Sequence, residues 1–430
     1  MPASTSKTLR IAVIADSDTR WKWGALTARR IAPEARIDGF LLRGRATPTP
    51  RQLAEVGVPV DGVREVTAAE FIGEIEHEPY DVVLLALVGG AVQAMLHGLA
   101  PLWRTTERRP VIGTGYVGVV YEKLADGLLL RHGADIVIAN SRHDAERFRA
   151  VYEGVGADAS AVTEAALPFL GGDGYTGTDT RTVVFAAQPS VPQSRADRAY
   201  LLRRLVQHAR LHPGREVLLK LRSKPGEHTT HIEELPYQKL AARIEGGPPP
   251  NFRLVYGHMG EVLDRTDLLV TVSSTAALES LHRRIPTAVL TDLGVREVLG
   301  NHHFLGSGCL ASWDQLDAGH RPPADEEWLA RQGVAADGSY DTAFDAVRKR
   351  VTALLGRPGL PPVAPYYTSA TAPGYLPGIL ARHRLDGTRT TTDVTGVRRV
   401  LRDAVREAAR GAYRHGVQRV APVIRRMGEL

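Results

Sequence analysis

Short runs that are apolar at every position alternate along this chain with longer stretches whose apolar residues recur at helical spacing. A run of the first kind predicts a strand covered on both faces, as in a parallel sheet. Strands are therefore expected at 9–15, 36–42, 81–87, 111–113 and 135–139, with helices at 21–31, 121–132 and 144–152, and the Pro-rich TPTP segment at 47–50 predicts a loop. This βαβ order predicts a doubly wound sheet with right-handed crossovers. A Gly- and Thr-rich stretch at 171–182 reads as a linker, and the pattern then starts again. Strands are expected at 183–187, 216–221, 252–256, 268–272 and 287–290, and helices at 195–211, 237–244, 260–265 and 276–283. The predicted fold class is α/β: two Rossmann-like doubly wound domains, residues 1–170 and 183–375, facing a central cleft. Residues 376–430 follow as a C-terminal helical extension.

The segment 268–292 is the most informative. Its buried strand ends in Ser273, Ser274 and Thr275, and a helix begins at Ala276. Free amides and hydroxyls at the carboxyl end of a strand face the crevice where open α/β sheets bind ligands, and they suit a phosphate. Glu279, one helical turn further on, is placed to accept two ribose hydroxyls. An ordinary capped helix accounts for the same three hydroxyls, so both readings stand at this point.

With 430 residues the chain is long enough for two domains with a core each. Hydrophobic content of 43% and charged content of 24% are those of a soluble globular protein. The first apolar run ends in acidic residues rather than a small-residue cleavage site, so it reads as a strand and not a signal peptide. Cys309 is the only cysteine, which excludes an internal disulfide and a cysteine zinc site and favours a cytoplasmic location. The net charge of +6 permits an anionic ligand or an anionic membrane surface, without the aromatic-interleaved basic patch that nucleic acid binding would need. An Arg-rich segment at 393–427 with helical apolar spacing is the place for such membrane contact, or for packing back on the domains.

Several further groups gather at strand ends. Lys220, Arg222 and Lys224, with His228 and His231 behind them, offer positive charge that would stabilise a leaving diphosphate. They also suit a solvated loop. His258 ends another strand. In the first domain Asp16 and Asp18 follow the first strand, where a carboxylate can take a proton from an acceptor hydroxyl, or where Asp18 can cap a helix. Trp21 and Trp23 suit either stacking on a sugar or the core. Gly113, Thr114, Gly115 and Tyr116 form a strand-end turn that lets backbone approach a ligand, and Asn140 and Ser141 end the next strand. No G-x-G-x-x-G or Walker lysine loop is present.

These motifs, with DIVIANS at 135–141, VVFAAQ at 183–188 and the stretches 218–231, 257–286 and 303–314, resemble the GT-B glycosyltransferases. The resemblance is strongest to bacterial capsule and cell-surface polysaccharide transferases and to a poorly characterised actinobacterial group. It implies a nucleotide-sugar donor held by the second domain, Ser273, Ser274 and Thr275 on its diphosphate, and Glu279 on its ribose. It also implies an acceptor (glycan, lipid or small molecule) on the first domain, with no metal and no cofactor. Arg222 stands where related transferases often show a His followed by Pro. Other readings are a nucleotide-sugar 2-epimerase of the same fold and a non-catalytic sugar-nucleotide-binding protein. The D-x-D spacing of Asp16 and Asp18 also looks like the magnesium-dependent phosphatases of the haloacid dehalogenase type, although Arg20 departs from that motif.

Overall fold

The computed structural model describes residues 8–44, 46–104, 108–119, 124–177, 181–224, 235–334 and 339–386. Two parallel sheets organise them. The first contains β1 (Arg10–Ala15), β2 (Arg36–Leu42), β3 (Gly62–Val66), β4 (Val82–Ala86), β5 (Val111–Gly115), β6 (Ile136–Ala139) and β7 (Val162–Glu164), in the order β3-β2-β1-β4-β5-β6-β7. The second contains β8 (Thr182–Ala186), β9 (Glu216–Lys220), β10 (Phe252–Val255), β11 (Leu268–Thr271), β12 (Thr287–Leu290) and β13 (Leu310–Ala311), in the order β10-β9-β8-β11-β12-β13. Helices α1 (Asp18–Ile31), α2 (Pro50–Val56), α3 (Ala68–His77), α4 (Gly89–Leu99), α5 (Leu124–Leu129) and α6 (Arg142–Gly154) cover the first sheet. Around the second lie α7 (Arg195–Leu211), α8 (Tyr237–Ala241), α9 (Met259–Leu263), α10 (Ala276–His282), α11 (Trp313–Asp317) and α12 (Glu326–Arg331), before α13 (Asp345–Leu355) and α14 (Leu376–Arg382).

Side chains alternate across each pleat, so neighbouring strand residues enter different cores. Ile11 and Val13 join one apolar cluster while Ala12 and Ile14 join the cluster on the other face. In the second sheet Val183 and Phe185 part from Val184 and Ala186 in the same way. Each sheet reverses strand order once, between β1 and β4 and between β8 and β11. Such a reversal splays the connections apart and opens a crevice at the carboxyl ends of the strands.

Three expectations change. The TPTP loop holds Thr49, which caps α2 in a reciprocal capping box with Gln52 while Pro50 supplies its first residue. The lobes do not bury fully separate cores, because Ala277, Leu278 and Leu281 of α10 share one apolar cluster with Trp21, Trp23 and Phe344. The end of the expected second domain returns instead to the first, where α13 packs on β5, β6, β7 and α1, and α14, at the start of the expected C-terminal extension, packs on α4. Within the linker, Gly172 has a φ of +94°, and a Cβ there would collide with the Arg283 guanidinium, whose Nε donates to the Gly171 carbonyl. The expected tail helix at 393–427 lies outside the described residues, and no described helix is long and apolar enough to cross a membrane.

Candidate functional site

A cleft of about 620 Å³ lies between the lobes at the carboxyl ends of both sheets. Its second-lobe wall includes Gln188, Lys220, Arg222, His258, Ser273, Ser274, Thr275, Glu279 and Glu297, and its first-lobe wall includes Asp18, Thr19, Lys22, Glu55, Val117 and Phe169.

At the turn after β11 the three hydroxyls have different fates. Ser273 is turned inward, donating its hydroxyl proton to the Leu299 carbonyl at 2.5 Å, while its amide donates to Gln188 Oε1 at 3.0 Å. Its hydroxyl is therefore structural. Ser274 Oγ accepts from the Ala276 amide at 3.3 Å, capping the start of α10. Thr275 makes no capping bond and faces the first lobe, its Oγ1 2.9 Å from where a Cβ on Gly118 would stand. Glu279, 8% exposed, opens on the cleft and meets Lys22 Nζ of the opposite lobe at 3.4 Å.

The basic side is also split. Lys220 ends β9 with its ammonium buried and donating to the Leu221 carbonyl at 2.9 Å. Burial is the main reason that its pKa falls to about 8, with Glu55 and Glu279 opposing the shift and Arg222 and Lys22 adding to it. Arg222 crosses the cleft and donates to both carboxylate oxygens of Asp18 and to Thr19 Oγ1. His258 precedes α9 and lines the cleft, and burial lowers its pKa, which favours the neutral imidazole. His228 and His231 lie outside the described residues.

The first-lobe candidates need more correction. Ser17, not Asp18, caps α1 by accepting from the Arg20 amide, so α1 begins three residues earlier than expected. Asp16 is held by Arg20 at 2.8 Å and by the Val88 amide at 3.1 Å, and it is not among the cleft-lining residues. Trp21 and Trp23 do not reach an acceptor. They are 2% and 0% exposed, one lying against Gly39 and the other against Gly115 with its indole N–H donated to Asn140 at 3.2 Å. Gly115 is small for that ring, since a Cβ would stand 2.7 Å from it. Gly113 makes room for Leu84, and the Thr114 hydroxyl donates to the Leu85 carbonyl. Tyr116 packs on Phe148 beneath the Arg131 guanidinium, with burial raising its pKa. Ser141 caps α6.

Lys22 was absent from the sequence-level candidates. It lies four residues after Asp18, so the two share one face of α1. That spacing is legible in the sequence. A cluster of His208, His212 and Asp317, none of them among the cleft-lining residues, has the residue types of a metal site. Its donors are already engaged: Asp317 accepts from His208 at 2.6 Å and from Arg204 at 3.0 Å, and Arg215 lies 3.3 Å from His208 Nε2. Two guanidiniums at that range oppose a cation.

Solved structures with the same two-lobed plan include a UDP-glucosyltransferase from Polygonum tinctorium capable of glucosylating indoxyl. It is 11% identical, covers 81% of this chain and 99% of its own, and has a TM-score of 0.53. A UDP-N-acetylglucosamine 2-epimerase from Rickettsia bellii is 12% identical, with 81% and 98% coverage and a TM-score of 0.51. A UDP co-structure of S. aureus MnaA is also 12% identical, with 80% and 95% coverage and a TM-score of 0.50. At these identities the likeness is one of fold, the GT-B arrangement of twin α/β domains. No curated protein matches the sequence. A family model described as "Putative glycosyltransferase (DUF6716)" matches residues 11–354, which span both sheets and the cleft between them, and the chain belongs to that family.

Proposed function

We propose that this protein moves a sugar from a nucleotide-sugar donor in the interlobe cleft to a hydroxyl of a glycan, lipid or small-molecule acceptor, without a metal or cofactor. Glu279 carries the reading: a carboxylate 8% exposed, one turn into the helix beside the switch point of the second sheet, is suited to two ribose hydroxyls. Thr275 and Ser274 then flank the diphosphate, and Lys220 supplies positive charge as it departs. The cleft volume is within the range of about 300–1,000 Å³ usual for small-molecule sites.

Asp18 is the candidate general base. It lines the cleft from the first lobe and must shed Arg222 before its lone pairs can take an acceptor proton. Asp16 is assigned to positioning Arg20 rather than to chemistry. The acceptor class implied by the resemblance is a cell-surface polysaccharide, glycolipid or secondary metabolite.

A second reading, 2-epimerisation of a nucleotide sugar in the same cleft, draws on four carboxylates in its lining, Asp18, Glu55, Glu279 and Glu297, since proton abstraction from carbon needs acids and bases at hand. Calorimetry with a panel of nucleotides, followed by product analysis on the matching nucleotide sugars, separates the two. Transfer releases nucleotide only when acceptor is present, whereas conversion of a nucleotide sugar alone would displace it in favour of epimerisation.

A further inference from the structure

We propose that Lys22 is a donor-binding residue contributed by the first lobe, gripping the donor diphosphate together with Lys220, and that Glu279 holds its place while the cleft is empty. This rests on the nucleotide-sugar reading above.

Lys22 projects from α1 into the cleft, with its side chain 18% exposed and its ammonium 3.4 Å from Glu279 Oε2. The same ammonium lies 4.4 Å from the centroid of the Phe169 ring, so an apolar wall narrows its access to water. Lys220 lines the same cleft from the second lobe. The cleft thus carries an ammonium group on each lobe, that of Lys22 paired with Glu279 and that of Lys220 held by the Leu221 carbonyl. A diphosphate carries more negative charge than a single carboxylate, and Coulomb attraction grows with that charge. A lysine on a flexible four-carbon stem can swing to the stronger anion. Once Lys22 does so, the oxygens of Glu279 become free to accept ribose hydroxyls, so one exchange of partners serves both ends of the donor. Because Lys22 and Lys220 belong to different lobes, the diphosphate also ties the two lobes together. An acceptor-side helix thereby takes part in donor binding.

The test uses the full chain and the base for which wild-type binding is tightest, with its nucleoside, monophosphate and diphosphate titrated into wild type, Lys22→Met and Lys22→Arg by calorimetry. Lys22→Met is expected to weaken the diphosphate about ten- to a hundredfold, the monophosphate less, and the nucleoside by no more than about twofold; Lys22→Arg recovers most of the loss. Unchanged diphosphate affinity in Lys22→Met, or an equal loss for nucleoside and diphosphate, overturns the assignment while leaving the nucleotide reading intact. Should wild type bind no nucleotide of any base, the reading itself fails and Lys22 with it. If Lys22→Met does not fold, Lys22→Gln carries the same expectation, and thermal melting of each variant verifies that the comparison is between folded proteins.

Discussion

The turn after β1 and the turn after β11 each lie beside the strand-order reversal of their sheet, yet they use their polar residues differently. After β1, Asp16 and Ser17 are engaged within the first lobe, and both tryptophans sink into the core. Only Asp18, Thr19 and Lys22 reach the cleft from this segment. After β11, Ser273, Ser274, Thr275 and Glu279 all line the cleft, but the Ser273 hydroxyl is spent inward on the Leu299 carbonyl. A polar turn at a strand end is thus a mixture of scaffold and site, and burial decides which member is which. The first turn leads into a helix of 14 residues and the second into a helix of 7.

That contrast can be broken at several points. Asp18→Asn should lower turnover by about 100- to 10,000-fold, the usual contribution of a general base, with nucleotide affinity nearly unchanged. Asp16→Asn should leave most turnover in place, and a steady-state assay in which the two variants fall equally would erase the distinction between them. Trp23→Ala should cost about 3–5 kcal/mol of stability in denaturant melts, as for other large aromatic truncations in a core. A stable variant with a raised acceptor KM would instead restore Trp23 to the acceptor site. Glu279→Ala should weaken nucleotide binding by about 1–3 kcal/mol, measurable by calorimetry. Ser273→Ala should lower stability by about 1–3 kcal/mol, because the Leu299 carbonyl loses its donor, whereas Thr275→Ala should stay within about 0.5 kcal/mol. Equal melting points for the two would contradict the division drawn at this turn.

The pH dependence is the gentlest probe. Diphosphate favours the ammonium form of Lys220, which in the empty cleft loses its proton at about 8, well below the ordinary lysine range. Affinity should therefore hold below that pH and fall as pH rises through it, by up to about tenfold per pH unit. Lys220→Met should flatten the profile, and a flat wild-type profile would remove Lys220 from the diphosphate.

Strands buried on both faces were legible because continuous apolar runs have few other uses; β2, α7 and β12 begin and end where the pattern predicts. The edge strand β3 was not, since GVREV has four exposed positions and no periodic signal to offer. The return of α13 was equally hidden, because amphipathic spacing shows that a face is buried but not which sheet buries it. At the cleft, residue type and strand-end position pointed to Asp18, Lys220, Glu279 and Thr275, which line it. They could not separate these from Ser273, Trp21 or Trp23, whose roles depend on partners far away in the chain. The pair Lys22 and Glu279, separated by 257 positions, has no local signature at all.

The homecoming of α13 and α14 has a practical corollary for anyone cutting the polypeptide at its linker. An excised amino-terminal half would be left with a bare greasy trench where Val347, Val351 and Leu354 belong, and its other half would carry an orphaned plug. Coexpressed fragments should find each other; expressed alone, each invites precipitation.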